Sequence, residues 1–148
     1  MKKLYVVGNR ASKSLSPTIF NYWFKKYNIK ASYGYLELTE KNFHKKIKEV
    51  LEKKDTLGLN VTIPFKNKII KHLGKIDAHA KKIGAVNCVT NKKTINGTNT
   101  DWTGYYKTLP NIKKTKNRKF IVLGYGGASH AIHYVLKKRG FKDILIFN

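Results

Sequence analysis

Cysteine is almost absent: Cys88 is the only one in 148 residues, so an internal disulfide and a cysteine-rich zinc site are both excluded. Acids are scarce too, with eight Asp+Glu against 31 Lys+Arg and a formal charge of +23. Arginine is rare within that surplus, at Arg10, Arg118 and Arg139, which leaves 28 lysines spread from end to end among abundant Asn and Ile. Nucleic-acid readers favour the bidentate arginine fork, so the charge points to compositional drift rather than to a reading face. A basic nucleic-acid-binding module is the rival reading that +23 raises. No apolar run approaches the roughly 20 residues that span a bilayer, and the one after Met1-Lys2-Lys3 breaks at Gly8, too soon for a signal peptide. With 41% hydrophobic residues the chain can bury one good core or two small ones. These features imply a cytoplasmic protein with no membrane role.

Strand and helix patterns alternate along the chain. Tyr5-Val6-Val7-Gly8 reads as a buried strand running into a loop over Asn9 to Ser16. Ser16 is a plausible N-cap for a helix that starts at Pro17, with Ile19, Phe20, Trp23, Phe24 and Tyr27 at helical spacing. Ser32 to Leu38 alternates as a strand, and Thr39 to Lys54 places Phe43, Ile47, Val50 and Leu51 on one stripe. A third strand, Leu57 to Ile63, ends at Pro64, and Phe65 to Leu73 and Ala78 to Ile83 read as helices. Ala85 to Thr90 and Lys93 to Gly97 suggest a hairpin about Asn91-Lys92. After the polar stretch Asn111 to Asn117, the pattern restarts as strand Phe120 to Leu123, helix Ala128 to Arg139 and strand Asp143 to Phe147. The expected class is α/β: a mainly parallel sheet with helices on both faces over residues 1–112, then the first βαβ unit of a Rossmann-like domain over 113–148.

Four polar motifs interrupt this scaffold. Ser14 and Ser16 put two hydroxyls just before a helix N-terminus, where hydrogen-bond donors and the helix dipole suit a carboxylate. In Asn60-Val61-Thr62-Ile63-Pro64-Phe65-Lys66, Asn60 and Thr62 share one side of a strand, and Lys66 follows the turn at its C-terminal end, where open α/β sheets bind ligands. A lysine there can exchange a proton with a substrate hydroxyl, although most lysines in so basic a chain are merely solvated. Asn87, in Gly84-Ala85-Val86-Asn87-Cys88, can bind a hydroxyl or end a turn. Asp101 follows Asn99-Thr100; Thr100 or Asp101 can cap a helix, and Asp101 can both pair with Lys66 and meet substrate. A fifth motif, Gly124-Tyr125-Gly126-Gly127-Ala128, follows a strand and opens a helix, as a dinucleotide pyrophosphate site requires, but Ser129 holds the position of the third glycine.

In this order, the motifs resemble the shikimate dehydrogenase family over the whole stretch from Tyr5 to Asn148. The resemblance implies an NADP-dependent oxidoreductase that interconverts 3-dehydroshikimate and shikimate in aromatic amino acid (chorismate) biosynthesis. By resemblance, Ser14 and Ser16 hold the shikimate carboxylate; Thr62, Lys66, Asn87 and Asp101 contact the ring hydroxyls; Asn60 shapes the pocket; and Lys66 and Asp101 are the catalytic pair. Gly124, Gly126, Gly127 and Ala128 would carry the cofactor phosphates, and Asn148 would open the family's Asn-Arg-Thr loop. Departures are Arg10-Ala11 for the usual Pro-Ile, Lys13 for a common histidine, Cys88 for threonine, Thr98 for a common acid, Trp102 for a smaller residue and Tyr125 for alanine. Because the family's second mononucleotide half would follow Asn148, the chain reads as a fragment that binds NADP poorly by itself, with a non-catalytic shikimate-binding remnant as a second alternative.

Overall fold

The computed structural model describes residues 1–110 and 119–148. Among these residues, eight strands and five α-helices broadly follow the alternation expected from the sequence: β1 (Lys2–Gly8), α1 (Ser16–Lys26), β2 (Ala31–Glu37), α2 (Glu40–Leu51), β3 (Thr56–Val61), β4 (Lys75–Ile76), α3 (Ala78–Ile83), β5 (Cys88–Asn91), β6 (Ile95–Thr98), α4 (Asp101–Thr108), β7 (Phe120–Leu123), α5 (Gly127–Lys138) and β8 (Ile144–Phe147). One sheet has the order β2-β1-β3-β5-β6-β4, and β7-β8 form a second. Most pairings are parallel; β5 runs against both β3 and β6. The junction expected at residue 112 lies outside the described residues.

Neighbouring valines show how the large sheet is covered. Val7 faces a core with Leu59, Val61 and the α2 stripe Phe43, Ile47, Val50 and Leu51. Val6 faces the other way, toward Tyr33, Phe20 and Phe24, so α1 and α2 lie on opposite faces. α2 begins with a capping box in which the Thr39 side chain accepts from the Asn42 backbone N–H and the Asn42 side-chain Oδ1 accepts from the Thr39 N–H.

Several local expectations need correction. Ser16 is the first residue of α1 and not its cap; Leu15 holds the cap position, and the Ser14 hydroxyl accepts from the Ser16 N–H at 3.2 Å. Of the expected apolar stripe on α1, only Phe20 and Phe24 pack inward, while Ile19, Trp23 and Tyr27 are exposed. The helix expected over Phe65 to Leu73 is a short 3-10 turn, Lys68–His72, followed by the unexpected strand β4. The hairpin strands start at Cys88 and Ile95; ahead of them Ala85 and Val86 are fully buried, and the Val86 N–H donates to the Lys66 carbonyl at 2.8 Å instead of joining the ladder.

In the second sheet, Val122 and its same-face neighbours pack under α5 through Leu136 and Ile132, with Phe141 from the turn after that helix. The opposite face carries Ile121, Leu123, Leu145 and Phe147, all exposed. In parallel register these form adjacent pairs.

A histidine pair ties α2 to the 3-10 turn, with His44 Nδ1 and His72 Nε2 2.8 Å apart. One ring must be neutral to accept that bond. Burial first, and then the nearby His44 charge, hold the His72 pKa below the usual histidine value. His72 therefore takes up its proton at higher pH when unfolded, so its contribution to stability is complete above about pH 6.5 and is lost as pH falls through the lower folded-state value. His133, lowered by burial and then by Lys137 and His130, acts with the same sign. The melting temperature should drop from about pH 7.5 to about pH 5.5, and His72→Gln should narrow that drop without removing it. An equally large drop in the variant would exclude this origin.

Candidate active site

β1 and β3 lie side by side in parallel, so the loops at their C-terminal ends leave the sheet at the same edge. Gly8 allows close approach there: a Cβ on it would lie 2.5 Å from Thr62 Cγ2. The loop after β1 carries Ser14 and Ser16, and the turn after β3, with its cis Ile63–Pro64 bond, leads to Lys66. A cleft of about 760 Å³ opens between them, and Ser14, Ser16, Asn60, Thr62, Lys66, Asn87 and Asp101 all line it. Residues separated by most of the first hundred positions thus share one volume.

The Lys66 ammonium lies 2.7 Å from Asp101 Oδ2, with the side chains 14% and 30% exposed. So little exposure limits solvent screening of the pair. Asn87 holds the other carboxylate oxygen, donating from Nδ2 to Asp101 Oδ1 at 2.7 Å. Its carbonyl accepts from the Thr100 N–H at 2.8 Å, which fixes the amide's orientation. Asp101 keeps its charge partner and its donor at once, and the Lys66 head stays at the cleft wall.

Thr100 occupies the cap position of α4 but makes no side-chain cap bond; its backbone is already helical there and its hydroxyl lies against Asn87. Asn99 substitutes for it, accepting from the Trp102 N–H at 3.3 Å while donating to the Ala85 carbonyl at 2.9 Å. Asn99 is 3% exposed and joins the segment before β5, which carries Asn87, to the helix bearing Asp101. The motif that contains this asparagine is plain in the sequence, but its bracing role is not.

On the other wall, the Ser14 hydroxyl donates to the Ser16 hydroxyl at 3.1 Å. Arg10 and Lys13, two of the departures noted above, also line the cleft and add positive charge next to those hydroxyls. Tyr33 is a residue that the sequence motifs do not single out. Its phenol donates to Asn60 Oδ1 at 2.6 Å, and burial pushes its pKa up to about 12, offset in part by the Ser16 hydroxyl. Period two places it on an inward face of β2, but nothing in the sequence puts β2 beside β1.

The glycine turn sits close by. Gly126 caps α5 with no side-chain bond, so the first N–H groups of that helix are left for another partner. Gly124 has φ 97°, a left-handed conformation that a side chain would strain, and Gly124, Gly126 and Ala128 are exposed. Ser129, in the third-glycine position, is buried and donates to the Gly126 carbonyl at 2.7 Å. A Cβ on Gly127 would come within 3.0 Å of Lys66 Cβ and Cδ, so the turn rests on the lysine stem. Asn148 follows β8 at the same end of the small sheet, next to the Gly124 N–H bond to the Phe147 carbonyl.

Fold and cleft define an α/β protein with a polar, cation-bearing ligand site at the carboxyl edge of its sheet. The family model for the shikimate dehydrogenase substrate binding domain matches residues 6–89. The chain belongs to the shikimate dehydrogenase family. It is 36% identical to shikimate dehydrogenase of Thermotoga petrophila over 146 residues, 99% of this chain and 54% of that protein. It is 37% identical to the NADP(+) enzyme of Pelagibacter ubique, covering 100% of this chain and 57% of the relative. The crystal structure of the Thermotoga maritima enzyme superposes with a TM-score of 0.85 at 35% identity, over 97% of this chain and 54% of that one. The Thermus thermophilus enzyme in complex with NADP(H) and shikimate gives 0.80 at 28% identity, over 99% of this chain and 55% of that one. This chain spans about half the length of the curated relatives it matches.

Proposed function

We propose that residues 1–112 form the shikimate-binding catalytic domain, and 113–148 the start of the NADP-binding domain, of a shikimate dehydrogenase that reduces 3-dehydroshikimate with NADPH in aromatic amino acid biosynthesis. The observation that carries this reading is the Lys66–Asp101 pair, 2.7 Å apart in the same cleft as the Ser14 and Ser16 hydroxyls. Ser14 and Ser16, supported by Arg10 and Lys13, bind the substrate carboxylate. Thr62, Asn87, Asp101 and Lys66 meet the ring oxygens, with Asn60 shaping the wall. Lys66 gives its Nζ proton to the oxygen that becomes the new hydroxyl, and takes it back in reverse, while Asp101 holds the ammonium in position. Gly124, Gly126, Gly127 and Ala128 fit a pyrophosphate, since they expose the helix N–H groups, and Asn148 lies at the adjoining strand end. NADPH, when bound, supplies the hydride.

Calorimetric titration of shikimate into the chain, with benzoate and random duplex DNA as controls, tests the reading. Saturable shikimate binding that is lost in a Ser14→Ala/Ser16→Ala variant is the expected result. No shikimate binding, together with salt-dependent DNA binding, would favour the nucleic-acid alternative instead.

A further inference from the structure

Tyr33 is 4% exposed and is held on every side. Its backbone N–H donates to Asn21 Oδ1 at 2.9 Å, its carbonyl accepts from Asn21 Nδ2 at 2.8 Å, and its ring stacks on Phe20 with centroids 4.7 Å apart. A tyrosine fixed in this way has one phenolic position and one proton to place. The 2.6 Å separation from Asn60 is typical of O–H···O and short for N–H···O, so the phenol donates and the Asn60 carbonyl oxygen accepts. That choice settles the other end of the amide. With Oδ1 turned to β2, the Asn60 NH₂ is the end left for the cleft, which Asn60 lines together with Ser16 and Lys66. Because the phenol pKa is raised to about 12, the proton remains in place throughout the neutral range.

We infer that Tyr33 is a positioning residue that locks Asn60 with its amide donor toward the cleft, so that this wall accepts only an acceptor oxygen of the ligand, such as a carboxylate. The inference rests on the functional reading above only for the identity of that ligand. Reading the amide the other way would make the wall accept hydroxyl protons and disfavour an acid.

The test uses the intact chain and two readouts: shikimate affinity by calorimetry, and the Asn60 side-chain amide ¹⁵N signal in the ligand-free protein. Tyr33→Phe keeps the ring stack and removes the hydroxyl; it should move the amide signal and weaken shikimate about five- to tenfold. In an Asn60→Ala background the same change should cost nothing further. An equal loss in both backgrounds, or a lower melting temperature with affinity and amide signal unchanged, assigns Tyr33 a merely structural role and overturns the inference. Should Tyr33→Phe not fold, Asn60→Asp decides: it turns an anionic oxygen to the cleft and should repel shikimate, whereas retained affinity means the wall already presented an acceptor. If the wild-type chain binds no shikimate, the functional reading fails, and the amide signal alone then judges the lock: a shift on Tyr33→Phe supports it and no shift overturns it.

Discussion

Lys66→Ala should lower the rate of 3-dehydroshikimate reduction about 100- to 10,000-fold, the usual worth of a well-placed acid–base group, while shikimate still binds. The rate is best followed by NADPH absorbance in a chimera that continues these 148 residues with the remaining portion of the Thermotoga maritima enzyme. Lys66→Arg separates two possible roles. Arginine keeps the positive charge beside Asp101 but does not release a proton near neutrality, so it should keep substrate affinity without restoring turnover. Full turnover in either variant would remove Lys66 from proton transfer. The geometry motivates the size of the effect: at 14% exposure the ammonium has little water to replace it, and Asn87 and Lys66 together leave Asp101 little freedom to swing away.

The second large effect concerns the scaffold. Phe43 is fully buried, stacked on Phe65 with centroids 4.2 Å apart, and sits where α2 meets the sheet. Phe43→Ala deletes the ring and leaves a cavity that close-packed neighbours cannot fill, at about 3–5 kcal/mol. A drop in melting temperature of roughly 10 °C should follow for a chain of this size. Trp23, by contrast, is 45% exposed on α1 and keeps only an edge-on contact with Phe20, so Trp23→Ala should cost about 1 kcal/mol. Equal effects at the two positions would contradict this packing.

That contrast marks how far periodicity can be read. The α2 stripe is legible because four apolar positions recur among lysines and all four are buried. The α1 pattern looks as strong in sequence, yet a helix lying on one edge of a sheet covers only as much surface as the sheet offers, and two aromatic residues suffice. Helix caps depart from expectation for a related reason. A hydroxyl at a helix start can bond its own helix or another strand, and Ser16 and Thr100 are drawn to partners that lie far off in the chain or before the expected cap. The two-residue strand β4 carries no periodic signal and exists only because β6 provides an edge.

The sequence by itself determined the alternation of strands and helices, the polar interruptions at Ser14, Asn60, Lys66, Asn87 and Asp101, and the glycine turn before α5, since these depend on local backbone preference and on residue types that a buried strand otherwise avoids. Tertiary structure alone decided that those side chains face one cleft, that Tyr33 reaches Asn60, that Asn99 braces the turn before Asp101, and that Gly127 lies on the stem of Lys66. The physical reason is range: propensity and period act over a few residues, whereas a shared cleft depends on strand order and register, which are set by how the whole apolar surface is buried.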